Sequence, residues 1–187
     1  MNEAIKVGNP KDDADLLQIL NLQRLNLAKD LPREEVLSQG FVTVVHNFDI
    51  LKKMNDACPH IVVRDGNIII GYALVMLSSF SEDIDILKPM FEKMKVIPFQ
   101  GKMLDTYKHF AMGQICVHKP YRGLGVFDLL YAGMKEQMQD EYELCITEVA
   151  TRNQRSLKAH YRVGFKNALH YTAPNGEDWE LIVWDWK

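Results

Sequence analysis

The segment of this sequence best suited to chemistry is an apolar strand that runs through a glycine-rich turn into an amphipathic helix. It covers residues 114–127, with Gly123 and Gly125 in the turn. The first N–H groups of a helix have no intrahelical partner and carry the positive end of the helix dipole. A turn without bulky side chains lets a phosphate approach these groups closely. The segment therefore predicts a binding site for a diphosphate.

A second group of polar residues follows the apolar run 144–150. Asn153, Ser156 and His160 are spaced at i, i+3 and i+7, so one face of a predicted helix carries all three side chains. Each has a structural alternative. Asn153 can cap the helix, Ser156 can be an ordinary surface residue, and a lone helix histidine such as His160 is often only a satisfied polar group.

The elements that must hold these residues alternate between strand and helix. Asn9-Pro10 with acids after it predicts the start of the first helix, and Asp65-Gly66-Asn67 predicts a hairpin turn. The pattern favours an α/β fold, a mixed sheet with helices on both faces. The predicted strands are 5–7, 60–64, 68–77, 108–117, 144–150, 168–172 and 179–186, the predicted helices are 10–28, 32–39, 126–139 and 154–163, a helical turn is predicted at 50–54, and 41–45 is an apolar β-branched run.

Composition narrows the setting. At 187 residues, 47% of them hydrophobic, the chain suits one globular domain. The N-terminus lacks a signal-peptide core, and the longest apolar run, 68–77, is too short to cross a bilayer, so we expect a cytoplasmic protein without membrane contact. Cys58, Cys116 and Cys145 fall outside any C-x-x-C spacing, which favours buried thiols over disulfides or metal ligands.

The distribution of charged residues along the sequence is more informative than the net charge. The net charge of −3 provides no global basic field, so we expect no nucleic-acid partner. Two stretches, 106–127 and 149–176, carry basic residues and no acidic ones. A solvated basic face explains such stretches, and so does a polyanionic small ligand held beside the glycine-rich turn.

These residues carry a family resemblance. Arg122-Gly123-Leu124-Gly125-Val126 after a strand resembles the acyl-CoA loop of the GNAT superfamily of N-acyltransferases, whose pattern is Gln/Arg-x-x-Gly-x-Gly/Ala. The strand 144–149 followed by Asn153, Ser156, His160 and Gly164-Phe165 is similar to the second family block, with the same spacing from Asn to Gly-Phe. The resemblance implies an acyl-CoA-binding core at 108–166. It also implies a single domain, 1–187, with a mixed, mostly antiparallel sheet of about six to seven strands.

The resemblance implies acetyl-CoA as the cofactor. The backbone of Ile115 and Val117 would pair with the pantetheine arm and polarise the thioester carbonyl. The turn would present N–H groups to the diphosphate, with Arg122 near its mouth. Asn153 would hydrogen-bond the pantetheine, and Ser156 would lie beside it. The cofactor-binding residues on this basis are Ile115, Cys116, Val117, Arg122, Gly123, Leu124, Gly125, Val126, Phe127, Asn153 and Ser156.

Two positions depart from the family pattern. Phe127 stands where Gly or Ala is usual, and its side chain either turns into the core or narrows the diphosphate loop. His160 stands where the family commonly has a tyrosine that acts as general acid. An imidazolium of pKa about 6.5 can protonate a thiolate of pKa about 8.5, so the exchange is tolerable. Tyr161 is an alternative donor.

The general base is harder to find in the sequence. An alkyl ammonium of pKa about 10.4 must lose a proton before it can attack a thioester. No carboxylate occurs between Thr106 and Phe127, so the candidates are Glu148 on the next strand and ordered water. Glu148 has a structural alternative at a strand end. We expect direct attack by the amine, with no acetyl group carried on Cys116.

The insertion 78–105 falls where such a fold would place the substrate wall, so we expect it to set acceptor specificity. Five acidic residues there and in the last hairpin turn would attract a cationic amine, or they form a solvated acidic surface. The tryptophans of the last predicted strand suit either the hydrophobic core or an exposed surface patch that forms a homodimer interface. The acids are Glu82, Asp83, Asp85, Glu177 and Asp178, and the tryptophans are Trp179, Trp184 and Trp186.

Three function classes follow. The first is an N-acetyltransferase that moves an acetyl group from acetyl-CoA to a primary amine of a small molecule or peptide. The second is a non-catalytic acyl-CoA sensor, favoured by Phe127 and by the missing strand carboxylate. The third, a dinucleotide-binding oxidoreductase, is disfavoured because the turn lacks Gly-x-Gly-x-x-Gly and lies two-thirds along the chain.

Overall fold

Seven strands form one mixed sheet in the computed structural model, which describes residues 5–81, 84 and 88–187. The strand order is β1-β2-β3-β6-β7-β9-β8, and all neighbours are antiparallel except the parallel pair β6 and β7. This confirms the predicted mixed, mostly antiparallel sheet. The strands are β1 Ile5–Gly8, β2 Ile61–Asp65, β3 Ile68–Met76, β6 His109–Val117, β7 Leu144–Ala150, β8 Lys166–Thr172 and β9 Asp178–Asp185, with a separate pair β4 Pro98–Phe99 and β5 Lys102–Met103.

Helices cover both faces of the sheet, as predicted, and each face has its own core. On one face α1, α3 and α4 pack against strand residues such as Tyr72 and Leu74. On the other face α5 and α6 pack against Val63, Val75 and Phe110. None of the helices in the described ranges is long and apolar enough to cross a membrane. The helices are α1 Asp13–Arg24, α2 Arg33–Gln39, α3 Phe48–Ala57, α4 Lys88–Met94, α5 Val126–Met138 and α6 Gln154–Val163.

Three predicted boundaries were wrong, each for a local reason. α1 is capped by Asp12 rather than Asn9, because the Asp12 carboxylate accepts from the Asp15 N–H at 3.1 Å. It ends at Arg24 rather than near residue 28, because the backbone of Asn26 and Ala28 bonds to Val42 instead. The run 41–45 therefore forms an isolated bridge and no strand. α3 extends beyond the predicted turn, with Asn47 as its cap.

The pairing of β6 creates the opening in which the site lies. β6 pairs with β7 at three positions, from His109 opposite Leu144 to Ala111 opposite Ile146. The two strands then diverge around a cavity, and the Thr147 hydroxyl spans the start of the gap by donating to the Met112 carbonyl at 2.8 Å. Gly113 is an extra residue relative to β3, so β6 also bulges here.

The three tryptophans in β9 and directly after it pack against the protein interior. Trp179 is buried and packs with Tyr171 and Ala150. Trp184 and Trp186 are half-buried, and Trp184 contacts the rings of Tyr131 and Phe165. Core packing thus accounts for them, and the homodimer stays a prediction. The acidic residues Glu82, Asp83 and Asp85 lie outside the described residues.

Candidate active site

A cleft of about 290 Å³ runs beside the end of β6 and the start of α5. Gly123 and Gly125 both have positive φ angles, 79° and 82°, in the left-handed region that favours glycine. Gly125 is the N-cap of α5 and has no side chain to cap it, so the first-turn amides of α5 keep their donors for a ligand. The predicted strand, turn and helix are thus present, and the uncapped start of α5 borders the cleft.

The charges around this cleft are mostly basic. Arg122, Arg155 and Arg162 line it, together with the acidic Asp128 in the first turn of α5. A carboxylate at a helix start would compete with a bound phosphate, but Asp128 accepts two hydrogen bonds from Arg162, at 2.8 and 2.9 Å. The ion pair offsets the one negative side chain, and the cleft remains suited to a polyanion.

A second, smaller cavity of about 70 Å³ lies between the diverging strands β6 and β7. It meets the cleft at shared residues, which lie on the loop after α2, on β6 and at the start of α6. Its own walls come from the loop 41–44, β3, α4 and β9 as well as from the two strands. The shared residues are Phe41, Val42, Ile115, Asn153 and Ser156.

Glu148 lies in this cavity with a carboxyl group that titrates near neutrality. Burial raises the pKa of Glu148 to about 7, although a hydrogen bond donated by the Tyr171 hydroxyl opposes the shift. Tyr171 comes from β8, where it pairs with Trp179 of β9. A carboxylate of this pKa is about half ionised at pH 7, so it can accept a proton and release it again.

His160 also lines the cavity but is held neutral. The ring is 1% exposed, and burial lowers the pKa of His160 to about 4. Its Nδ1 lies 2.8 Å from the Ser156 carbonyl oxygen, which can only accept, so Nδ1 carries the proton. Burial therefore disfavours the imidazolium expected from the sequence, and the catalytic role of His160 stays a prediction. The aromatic rings of Phe127, Tyr131 and Phe165 surround His160 and provide the burial.

Comparison with known proteins places this geometry in a family. The model of the Acetyltransferase (GNAT) family matches residues 21–165, well over half of the chain. The chain belongs to this family.

Solved structures share the fold of this GNAT acetyltransferase at low sequence identity, which shows the fold alone. One chain of the NatC complex bound to Gag peptide and CoA has a TM-score of 0.66 at 13% identity, over 98% of this chain and 99% of that one. Salmonella typhimurium yncA, solved with its cofactor acetyl-CoA, gives 0.62 at 14% identity, over 98% and 94%. The Escherichia coli ribosomal-protein-S18-alanine N-acetyltransferase gives 0.61 at 12%, over 97% and 93%. No curated protein sequence matches the chain significantly.

The predicted cofactor residues of the GNAT acetyltransferase meet in the cleft, with one exception. Ile115, Cys116, Val117, Arg122, Gly123, Gly125, Val126, Phe127, Asn153 and Ser156 all line it. Leu124 is 59% exposed and is not among the described residues that line the cleft. Cys116 contributes through its backbone edge, because its side chain is buried on the opposite face with Tyr72.

Two of these side chains bond to the protein rather than extending freely into the cleft. The Arg122 guanidinium donates to the carbonyls of Val117 and Gln39 and to the side chain of Asn26. The Asn153 side chain accepts from the Ser156 N–H at 3.3 Å, as a helix cap, and donates to the Phe41 carbonyl at 3.0 Å. Both residues thus position the loop 39–42 that forms the opposite wall.

Phe127 adopts the first of its two predicted arrangements. Its ring packs edge-to-face on Tyr131 and His160, with centroids 5.1 and 5.2 Å apart, and belongs to the core of that face. The ring still forms part of the cleft wall. The glycine-rich backbone beside it keeps its positive φ angles.

Several residues of the cavity were not identified from the sequence. Tyr171 donates a hydrogen bond to Glu148. The apolar walls of the cavity are formed by Phe41, Met76, Met90 and Trp179. Each lies on a different element, and no spacing links them. The sequence does contain one signal, because Glu148 is the single charged residue in the apolar run 144–150. Charged residues are rarely buried without a partner, so a carboxylate in such a strand requires an explanation.

Proposed function

We propose that this GNAT acetyltransferase moves the acetyl group of acetyl-CoA to a primary amine by direct attack. One observation carries the proposal: an anion-binding cleft opens at shared residues into a cavity that holds a carboxyl group with a pKa of about 7. The cleft suits the acyl donor and the cavity suits the amine. Family membership and the CoA-bound structures of similar fold support the choice of donor.

The cleft fits CoA by its own features. The uncapped start of α5 offers amides to a diphosphate, and Gly125 leaves open space where a larger residue would carry a Cβ. Arg122, Arg155 and Arg162 provide a positive potential around it. The donor supplies an activated acetyl group as a thioester.

Glu148 performs the first proton transfer. The ionised carboxylate takes a proton from the substrate ammonium and leaves a neutral amine beside the donor. The amine nitrogen then forms a bond to the acetyl carbon while the carbon–sulfur bond breaks. A second proton leaves the nitrogen and reaches the thiolate through water, and Glu148 releases the first to solvent. The thiolate, with pKa about 8.5, needs no strong acid, in keeping with a neutral His160.

An acetyl-enzyme on Cys116 does not fit the environment of that thiol. Burial raises the pKa of Cys116 to about 12, although nearby Arg122 opposes the shift. The reactive thiolate is therefore negligible at neutral pH. Tyr161 does not replace His160 as an acid either, because its hydroxyl donates to Glu180 and burial raises its pKa to about 12.

Binding and turnover test the proposal in turn. Acetyl-CoA is titrated into the protein by calorimetry, and thiol release is then followed with a panel of primary amines. We expect binding, turnover of at least one amine, and a sequential kinetic pattern. Binding without turnover of any amine supports the acyl-CoA sensor instead. A ping-pong pattern with acetyl-Cys116 contradicts direct attack.

A further inference from the structure

The walls of the acceptor cavity indicate which amines it admits. We propose that the acceptor is a small primary amine whose substituent is short, apolar and uncharged, and that the cavity rejects amines carrying a carboxylate or a second cation. This inference rests on the proposed function, because it names the substrate class of the same site.

The first argument is the charge balance of the cavity. Among the lining residues that the structure describes, Glu148 is the one that ionises near pH 7, since His160 is held neutral. An ammonium therefore finds one opposite charge. Among the described lining residues a substrate carboxylate finds no cation, and burying an unpaired charge is strongly unfavourable. A second ammonium likewise finds no second carboxylate among those described residues.

The second argument is that two polar side chains of the cavity, Gln114 and Thr147, are already bonded within the protein. The Gln114 amide oxygen accepts from Tyr72 and Gln23, and its nitrogen donates to the Val44 carbonyl at 2.8 Å. The Thr147 hydroxyl donates to Met112. These side chains therefore have little capacity left for a polar substituent on the substrate.

The third argument is the nature of the remaining walls. Three methionines line the cavity, Met76, Met90 and Met112, and they are at most 3% exposed. Their flexible thioethers adapt to small apolar groups. Trp179 adds an aromatic side chain to these walls, which also suits an ammonium before it loses its proton.

The fourth argument is size. The cavity of about 70 Å³ is roughly half of the 150 Å³ that accommodates benzene in an engineered apolar cavity. A short alkyl chain fits this space better than an aromatic ring. Met90 belongs to α4, inside the insertion 78–105, so that segment lines the cavity, and its influence on acceptor specificity stays a prediction.

Four acceptors of equal chain length and similar amine basicity test the charge rule. They are pentylamine, 5-aminopentanoate, its methyl ester and 1,5-diaminopentane. We expect kcat/KM for pentylamine to exceed that for 5-aminopentanoate by about 100-fold or more, the methyl ester to recover most of the loss, and the diamine to fall at least about tenfold below pentylamine. Equal or faster turnover of the acid or the diamine overturns the inference.

Phenethylamine added to the panel tests the size rule, which fails if it outperforms pentylamine. A matched pair of variants then locates the charge effect in the cavity. Thr43 is half-buried and lines the cavity, whereas Val45, two residues along the same loop, is 60% exposed. Thr43→Arg should raise the ratio of 5-aminopentanoate to pentylamine turnover at least about tenfold, because it adds the missing cation. Val45→Arg should leave the ratio unchanged.

Unaltered acetyl-CoA binding and melting temperature verify that both variants fold. A ratio that does not respond to Thr43→Arg in a folded variant contradicts the charge argument. If the wild-type protein binds acetyl-CoA but acetylates no amine at all, the proposed function fails. If it prefers a charged acceptor, the proposed function stands and only the acceptor class is wrong.

Discussion

The cleft proposed for the cofactor and the cavity proposed for the acceptor share five residues, yet they are built in opposite ways. The cleft depends on backbone groups from one short segment, where two glycines with positive φ expose the start of α5. The cavity depends on side chains from the loop 41–44, β3, α4, β6, β7 and β9. A site made of backbone groups is determined by a short segment of sequence, because it requires only a particular backbone conformation. A side-chain site is encoded only by the assembled fold.

Removal of the proposed base should have the largest effect, and it should alter the chemistry in the cavity without altering donor binding in the cleft. Glu148→Gln keeps the side-chain volume but cannot take a proton, so kcat should fall by about 10²- to 10⁴-fold. The affinity for acetyl-CoA, measured by calorimetry, should stay the same because the cleft is intact. A variant that keeps its kcat, or loses donor binding instead, contradicts the division into donor and acceptor regions.

The next effect acts on the cleft alone. Gly125→Ala forces a Cβ into the left-handed conformation and towards the donor, so the Kd for acetyl-CoA should rise about tenfold. Gly176→Ala is the matched control, because Gly176 has a φ of 83° and, like Gly125, open space around its Cβ position, but lies in the last hairpin turn. Both variants should lose about 1 kcal/mol of stability. Equal donor affinity in both would show that Gly125 serves only the turn.

Substitution of Asn153, one of the residues shared by both regions, should have a smaller effect. Asn153→Asp keeps the oxygen that caps α6 but removes the N–H that bonds the Phe41 carbonyl. We expect a loss of about 1 kcal/mol in unfolding free energy, because one partly buried hydrogen bond is lost. The KM values for both donor and amine should rise a few-fold, since Phe41 lines both regions. A change in only one KM would mean that the loop 39–42 belongs to one region.

The smallest effect on the maximal rate is expected from a change in the pKa of the base. Tyr171→Phe removes the hydrogen bond that favours the ionised form of Glu148, so the pKa of Glu148 should rise by on the order of one unit. The pH–rate profile should shift to higher pH, with little change in the maximal rate. An unshifted profile would show that Tyr171 does not act on the base.

The accuracy of the sequence predictions also differs between features set by local sequence and features set by the assembled fold. The strand, the turn around Gly123 and Gly125 and the helix after it are confirmed, because glycine spacing and helical periodicity are local signals. The capping role of Asn153 was also foreseeable, since Asn is a preferred N-cap. The ionisation of His160 was not. Its lowered pKa depends on aromatic rings from α5 and from Phe165, two residues after α6, which only the fold brings together.

The walls of the cavity show why the remaining features of the site could not be predicted from the sequence. The run 41–45 was expected to be extended, but its function as a wall depends on Gln114 and Asn153 bonding its carbonyls. Tyr171 reaches Glu148 because β8 carries an extra residue at Ala168, which sets the register against β9. A bulge of one residue shifts which side chains meet, and the sequence offers no marker for it.

The pH dependence of kcat/KM for the amine, at saturating acetyl-CoA, tests the central claim most directly. With Glu148 as the base, the wild-type rate should rise through about pH 7 and level off between pH 8 and 9, because ionisation of one carboxyl is then complete. Glu148→Gln depends on free amine from solution, so its lower rate should keep rising about tenfold per pH unit towards the amine pKa of about 10.4. A wild-type profile that rises in the same way, with no plateau above pH 8, would contradict the assignment of Glu148 as the general base.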